Sequence, residues 1–152
     1  MIKQKLSLKA RALRYLSMRE HSRLELARKL SAYAEQEDEL ETVLNWLETS
    51  NFLSAERFSE SLIHRRAARF GNHRILAELQ SHQLDSIEIQ KAKIELQETE
   101  SARAIEVLHR KFPNAPADQE EKMKQSRFLQ QRGFSGQAIR AALSAQRDVD
   151  ES

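Results

Sequence analysis

The sequence contains no cysteine, which excludes thiol chemistry and cysteine-based metal sites. The side chains left to consider for catalysis or metal binding are five histidines and many serines. Glu60 precedes His64, and Glu78 precedes His82, by four residues, a spacing that on a helix predicts ordinary surface pairs. None of the histidines shows a zinc-binding spacing such as His-Glu-x-x-His; they are His21, His64, His73, His82 and His109. We therefore expect no metal site.

The serines and glycines offer no better case for catalysis. Most serines stand just before helical segments, where capping of the helix N-terminus accounts for them. A phosphate-cradling loop needs clustered glycines, and the chain has only three glycines in all. Because no nucleophile, acid and base occur together, the sequence predicts no catalytic residue, no cofactor and no enzymatic activity.

Charged residues form blocks of alternating sign along the chain. Residues 1–34 carry nine Lys and Arg against two Glu, whereas residues 35–60 carry one Arg against eight Asp and Glu. Residues 61–82 are basic again, with four Arg against one Glu. Blocks of this kind give a surface with positive and negative faces. These are either plain solvated helix faces or binding surfaces for a charged partner.

The composition predicts which elements must present these charges. Apolar residues make up 39% of the chain and charged residues 32%, with three glycines and two prolines. A sheet protein needs many turn residues, so this scarcity predicts an all-α fold with short connections. The sequence has neither the ~20 apolar residues that span a membrane nor the apolar stretch of a signal peptide, so we expect a cytoplasmic protein.

Apolar residues spaced three and four apart predict the individual helices, and Trp46 and Phe58 fall on such stripes and are expected in the core. Helix N-caps are predicted at Ser22, Ser54, Asp85, Asp118 and Ser135. Capping boxes are expected at Ser22 and at Asp85, where the carboxylates of Glu25 and Glu88 would reach back to the cap amides. Gly133 is expected to end a helix in the left-handed conformation. Thr99 either separates two helices or lies within one bent helix.

One pattern recurs three times: a small residue at a helix start, an aliphatic residue four positions on and a leucine eight positions on. The copies are Ser22/Leu26/Leu30, Gly71/Ile75/Leu79 and Ser135/Ile139/Leu143. This recurrence predicts an elongated array of three tandem three-helix repeats, each packed mainly on its neighbours. We place the repeats at residues 1–53, 54–98 and 99–148, followed by a frayed tail at 149–152.

The basic helices also suggest nucleic-acid binding. The segment from Arg19 to Lys29 resembles a helix-turn-helix, but Leu24 and Glu25 stand where base-reading side chains would be needed. Contact of the basic faces with phosphates, which is independent of base sequence, is the stronger interpretation.

Several motifs, taken in order, resemble the RecX family of recombinase regulators. ALRYL at 12–16 and REHS at 19–22 resemble the family's opening repeat, and VLNWL at 43–47 resembles its next segment. GNHRILAEL at 71–79 is similar to the middle repeat. RFLQQRGFS at 127–135 is similar to the third repeat and is the most specific match. The resemblance covers residues ~10 to 145.

The resemblance implies tandem three-helix units and binding to the RecA recombinase, chiefly as its filament on DNA. It further implies negative regulation, in which filament extension, ATPase activity and strand exchange are limited. Basic faces would meet either DNA phosphates, single- or double-stranded, or acidic recombinase surface. We expect a monomer and no membrane partner. The alternative is a DNA-binding or scaffolding helical-repeat protein that has no recombinase partner.

Arginines on the basic faces are the residues expected to contact the partner. The candidates are Arg11, Arg14, Arg19, Arg23, Arg65, Arg66, Arg69, Arg74, Arg127, Arg132 and Arg140. Each is otherwise an ordinary solvated arginine.

Overall fold

A computed structural model of the protein describes residues 6–148, and within that range the chain forms eight α-helices and no β-strand. The helices are α1 (Leu8–Met18), α2 (Arg23–Ser31), α3 (Glu37–Thr49), α4 (Ala55–Arg66), α5 (Asn72–Ser81), α6 (Ser86–Lys111), α7 (Gln119–Gln131) and α8 (Gly136–Ser144). The predicted all-α repeat fold is confirmed. The tail predicted at 149–152 lies outside the described residues.

The helix starts follow from capping residues in the sequence. Side chains of the five predicted caps each accept a hydrogen bond from the backbone amide three residues later, which satisfies one of the free amides of the first turn. These caps are Ser22, Ser54, Asp85, Asp118 and Ser135. Gly133 has a φ of 89°, so the predicted left-handed residue after α7 is also confirmed.

Four predicted side-chain pairings are absent among residues 6–148: Glu25 with the Ser22 amide, Glu88 with the Asp85 amide, Glu60 with His64, and Glu78 with His82. The Glu25 carboxylate does not return to the Ser22 amide; it accepts two hydrogen bonds from the Arg19 guanidinium instead. The Glu78 carboxylate likewise pairs with Arg66 on α4 and not with His82 on its own helix. In both cases a guanidinium can make two charge-assisted bonds at once, which outcompetes a single local bond.

The apolar residues form three separate cores, one for each repeat. The first lies among α1, α2 and α3 and is dominated by leucines. The second lies among α4, α5 and the first half of α6, with Phe58 almost wholly buried at 1% exposure. The third lies among the second half of α6, α7 and α8. Phe58 is in the core as predicted, whereas Trp46 is half-buried beneath the ammonium group of Lys9.

The helix α6 runs unbroken for 26 residues and belongs to two repeats. No glycine or proline occurs within it, and it ends at Lys111, just before Phe112 and Pro113. Thr99 therefore lies inside one helix, and so does the repeat boundary drawn between residues 98 and 99. Leu96 packs into the second core and Ala104 into the third, so one continuous helix joins the two repeats.

Candidate partner-binding surface

Three of the eleven candidate arginines are bound to carboxylates of the same chain. Arg19 lies 2.5 Å from Glu25, Arg23 contacts Glu41 and Glu48, and Arg66 lies 3.1 Å from Glu78. The hydrogen bonds from Arg19 lower the pKa of the Glu25 carboxyl to about 2. The hydrogen bonds that Arg66 donates to Glu78 raise the pKa of the Arg66 guanidinium. A partner anion would have to displace these carboxylates, which makes the three arginines poorer candidates.

Five other candidates are dispersed over the surface. Arg11 stacks on the Tyr33 ring at 3.8 Å, and the other four are exposed. Arg127 lines a cleft that also contains three carboxylates of the α7 N-terminus, so its local charge is mixed. Arg140 borders a groove between α7 and α8. The structure does not gather these five side chains, which are Arg11, Arg14, Arg65, Arg127 and Arg140, into one site.

The remaining three candidates surround a single aromatic ring. The guanidinium carbons of Arg74, Arg69 and Arg132 lie 4.1, 5.5 and 5.6 Å from the centre of the Phe70 ring. Arg132 also lies 5.1 Å from the ring of Phe128. Stacking on a ring holds a guanidinium by cation–π attraction and leaves its N–H edge available for an anion. Arginines from two repeats therefore form one positive cluster.

A groove of about 280 Å³ adjoins this cluster. It is lined by Ala68, Arg69, Val107, Arg110, Lys111, Phe128 and Arg132, with no Asp or Glu among them. None of the ion pairs found within residues 6–148 involves any of its four cations or Arg74. We call these five cations (Arg69, Arg74, Arg110, Lys111 and Arg132), together with Phe70 and Phe128, the basic groove.

Two glycines bring together the parts of the basic groove that come from the second and the third repeat. The amide of Gly71 donates to the carbonyl of Arg132 at 2.8 Å, and the amide of His73 donates to the carbonyl of Gly133 at 3.1 Å. A Cβ built on Gly71 would stand 2.3 Å from the backbone nitrogen of Phe134, so only glycine permits this approach. Backbone contact of this kind places Arg74 and Arg132 at a defined separation.

Buried polar side chains of α6 support the same junction. The Glu100 carboxylate accepts hydrogen bonds from the amide of Asn72 at 2.9 Å and from the hydroxyl of Ser135 at 2.6 Å, and so it holds the N-termini of α5 and α8 together. One turn later, Arg103 donates to the carbonyls of Ala67 and Phe70 at 3.1 and 2.8 Å. Burial lowers the pKa of the Arg103 guanidinium. Phe70 is thus positioned from inside the molecule.

The junction between the first and second repeats is smaller and polar. The Arg57 guanidinium lies 2.9 Å from the Glu20 carboxylate, and the Ser22 hydroxyl lies 2.7 Å from Nδ1 of His82. Within the second repeat, the His82 ring packs with its centre 4.6 Å from that of the Phe58 ring, and this contact positions His82 opposite Ser22 of the first repeat. These contacts connect the repeats through side chains, whereas the second and third repeats also share a helix.

Sequence reasoning missed two cations of the groove, Arg110 and Lys111, and the internal role of Arg103. The adjacent pair at the end of α6 was the available signal, since two basic residues at a helix C-terminus before Phe112 and Pro113 are conspicuous in the sequence. Arg103 also bonds Thr99 on its own helix, but no local signal marks its contact with the carbonyls of Ala67 and Phe70, which lie 36 and 33 residues away.

The rest of the described chain shows few other features of a functional site. Over residues 6–148, no group of three or more His, Asp or Glu side chains is arranged to hold a metal ion. Within the same range, no helix has the length and apolarity that a membrane span requires.

Comparison with known proteins identifies the fold and the family. Residues 9–47 match the model of the first three-helix domain of RecX, and residues 98–143 match that of the third. Among solved structures, RecX from Lactobacillus salivarius shares the fold with a TM-score of 0.76 and 20% sequence identity, over 90% of this chain and 92% of that chain. A second structure of a regulatory protein RecX gives a TM-score of 0.73 at 18% identity, over 95% of this chain and 83% of that chain.

Curated relatives are much nearer in sequence. The regulatory protein RecX of Herbaspirillum seropedicae is 61% identical over 90% of this chain and 89% of its own length. That of Herminiimonas arsenicoxydans is 56% identical over 99% of this chain and 100% of its own length. The chain therefore belongs to the RecX family of regulatory proteins.

Proposed function

We propose that this protein binds the RecA recombinase in its filament on DNA and acts as a negative regulator of it. Binding limits filament extension, ATP hydrolysis and strand exchange. The observation that carries the proposal is the 56% identity to a regulatory protein RecX over essentially the whole of both chains. In this proposal the protein works in the cytoplasm, as a monomer and without a cofactor.

The geometry supports the proposal through the shape and charge of the molecule. Three repeats in a row give a long surface, and the second and third are joined rigidly by α6. The basic groove lies at that junction: four of its cations share a lining that contains no carboxylate, and the fifth, Arg74, lies over Phe70 beside it. A nucleoprotein filament offers long, regularly repeated anionic surface, which an extended cationic protein can follow.

The experiment is a titration of this protein into RecA hydrolysing ATP on single-stranded DNA. We expect inhibition at substoichiometric to micromolar protein, and co-sedimentation of the protein with the filament. The double variant Arg69→Gln/Arg74→Gln should inhibit less. The matched control Arg28→Gln/Lys93→Gln removes the same charge from exposed positions outside the groove and should inhibit like the unmodified protein. Absence of both inhibition and filament binding would refute the proposal.

The alternative is a helical-repeat protein that binds DNA, or serves as a scaffold, without a recombinase partner. The lining of the basic groove contains no carboxylate, so it can accept DNA phosphates, and this favours the DNA-binding form of the alternative. Tight, steeply salt-dependent DNA binding that is indifferent to RecA would support the alternative.

A further inference from the structure

We infer that the basic groove at the junction of the second and third repeats binds the phosphodiester backbone of DNA. The inference rests on the proposed function in one respect only, since the filament is where the protein would meet that DNA. It deepens the proposal by assigning the groove to nucleic acid and not to the recombinase.

The first argument is the way in which the structure distributes its arginines. Elsewhere, carboxylates of the chain neutralise four arginines, which are Arg19, Arg23, Arg57 and Arg66, and the other exposed candidate arginines are not gathered into one site. At the basic groove the chain gathers Arg69, Arg74 and Arg132 around Phe70. Arg110 and Lys111 join Arg69 and Arg132 in a lining that contains no carboxylate. Gathering like charges costs free energy that an external anion would offset. The groove is therefore built for an anion from outside the chain.

The second argument concerns how closely the negative charges of that anion must be spaced. Five cations in one groove exceed what a single carboxylate or a sparse acidic peptide would neutralise. A nucleic-acid strand carries one phosphate for about every 3.4 Å of its length, so it can present successive charges to successive cations. Arginine suits this role because its planar fork makes two parallel hydrogen bonds to phosphate oxygens.

The third argument concerns what the aromatic rings leave open. Guanidinium groups from Arg69, Arg74 and Arg132 lie over or beside the Phe70 ring, and Phe128 packs edge-on against Phe112 at 5.5 Å. The rings therefore support the cations and do not serve as open platforms for bases. Recognition would go through phosphates, so binding should be independent of base sequence and steeply dependent on salt.

The fourth argument is the rigidity of the site. Arg103 fixes the carbonyl of Phe70, and the glycine contact fixes Arg74 relative to Arg132. Because the cations are held before binding, less conformational entropy is lost when the anion arrives. A long surface arginine that is mobile before binding must lose side-chain conformational entropy when it contacts the anion, and this loss offsets a large part of the binding free energy.

The test measures DNA binding by this protein alone, with no recombinase present. Fluorescence anisotropy of a labelled oligothymidylate and of a mixed-sequence duplex, each titrated at several salt concentrations, distinguishes single-stranded from double-stranded phosphates. For Arg69→Gln/Arg74→Gln we expect a roughly tenfold loss of affinity, and a salt slope on the single strand that is smaller by about 1.4, at about 0.7 per lost contact. Arg28→Gln/Lys93→Gln should retain both the affinity and the slope.

Three further measurements make the test decisive. The double substitution Arg69→Lys/Arg74→Lys keeps the charge and should recover the salt slope but only part of the affinity, because lysine retains the electrostatic contact and loses the paired hydrogen bonds and the stacking on Phe70. Circular dichroism melting of each variant checks that the fold is retained. Competition by poly-glutamate as strong as that by DNA would assign the groove to an acidic protein and overturn the inference. Loss of filament inhibition with unchanged DNA binding would also overturn it, yet would leave the proposed function standing.

Discussion

Gly71 lies so close to Gly133 that a Cβ built on Gly71 would stand 2.4 Å from the carbonyl oxygen of Gly133. Neither partner in this contact is a flexible side chain that could swing aside, because the atoms nearest to the added carbon all belong to backbone. The contact joins the N-terminus of α5 to the C-terminus of α7 and thereby holds the second repeat on the third.

The substitution Gly71→Ala should therefore separate the two repeats locally. We expect the free energy of unfolding to fall by roughly 2–3 kcal/mol, as for an overpacked interior site, with a lower midpoint in urea denaturation. Gly136→Ala is the matched control, since its Cβ would meet only the tip of the Arg140 side chain at 3.3 Å. That variant should be neutral or slightly stabilising, and equal losses in both would contradict this account of the junction.

Local structure was predictable from the sequence because it depends on neighbours in the chain. Ser54 and Ser135 cap helices by reaching an amide three residues away, which needs no knowledge of the fold. The pairing of Arg66 with Glu78 and the orientation of Arg103 depend on how separate helices pack, and no local pattern encodes that. For the same reason, the sequence offers no basis for ranking the eleven candidate arginines. The structure separates the arginines around Phe70 from the arginines that carboxylates of the chain already neutralise.

The continuity of α6 was only partly predictable. Thr99 is a weak helix former, but one such residue costs well under 1 kcal/mol, and the neighbouring turns are stabilised by two different cores. Burial of Leu96 on one side and Ala104 on the other decides in favour of one long helix.

Replacing Glu100 should weaken the junction from the side of α6. The carboxylate is 7% exposed and accepts from Asn72 and Ser135, so Glu100→Gln loses its charge-assisted bonds and introduces a buried amide group with donors to satisfy. We expect a loss of about 2 kcal/mol in the free energy of unfolding. Glu98→Gln changes an exposed carboxylate of the same helix and should stay within about 0.5 kcal/mol of the unmodified protein. Similar denaturation midpoints for the two variants would argue against a bridging role for Glu100.

The pair of Arg19 and Glu25 should make stability depend on pH in the acid range. Hydrogen bonds from Arg19 lower the pKa of Glu25 to about 2 in the folded protein, against 4.5 as its ordinary value. A carboxyl with a depressed folded pKa stabilises the protein above pH 4.5, and this contribution is lost as the pH falls from 4.5 towards 2. Because the Arg19 side chain is 42% exposed, solvent screens the pair, and we expect it to contribute only about 1 kcal/mol at neutral pH.

Urea denaturation at a series of pH values checks this contribution. Glu25→Gln should be less stable than the unmodified protein at neutral pH, and the difference should shrink as the pH falls from 4.5 and vanish below pH 2, where Glu25 is protonated. Glu60→Gln, which removes an exposed carboxylate of α4, should follow the unmodified protein throughout. Arg19→Gln should lose stability while DNA affinity is retained, since this arginine is occupied within the chain; a loss of DNA affinity without a loss of stability would reverse that assignment.

Ser22 performs two tasks, and a double-mutant cycle separates them. Its hydroxyl oxygen accepts from the amide of Glu25 at 3.1 Å and lies 2.7 Å from Nδ1 of His82, to which the same hydroxyl can donate. Ser7 caps α1 through the amide of Ala10 at 3.1 Å and makes the matched control. Ser7→Ala should cost about 1 kcal/mol as a lost cap, and Ser22→Ala about twice that, because a bond between repeats is lost as well.

Combination with His82→Ala decides whether the second task is real. Ser22→Ala and His82→Ala remove the two ends of one hydrogen bond, so the double variant should be less destabilised than the sum of the single variants by about 1 kcal/mol. Ser7→Ala lies in another helix and should add to His82→Ala without coupling. If both pairs are additive, the Ser22 hydroxyl only caps α2, and the first repeat is held to the second by the pair of Arg57 with Glu20.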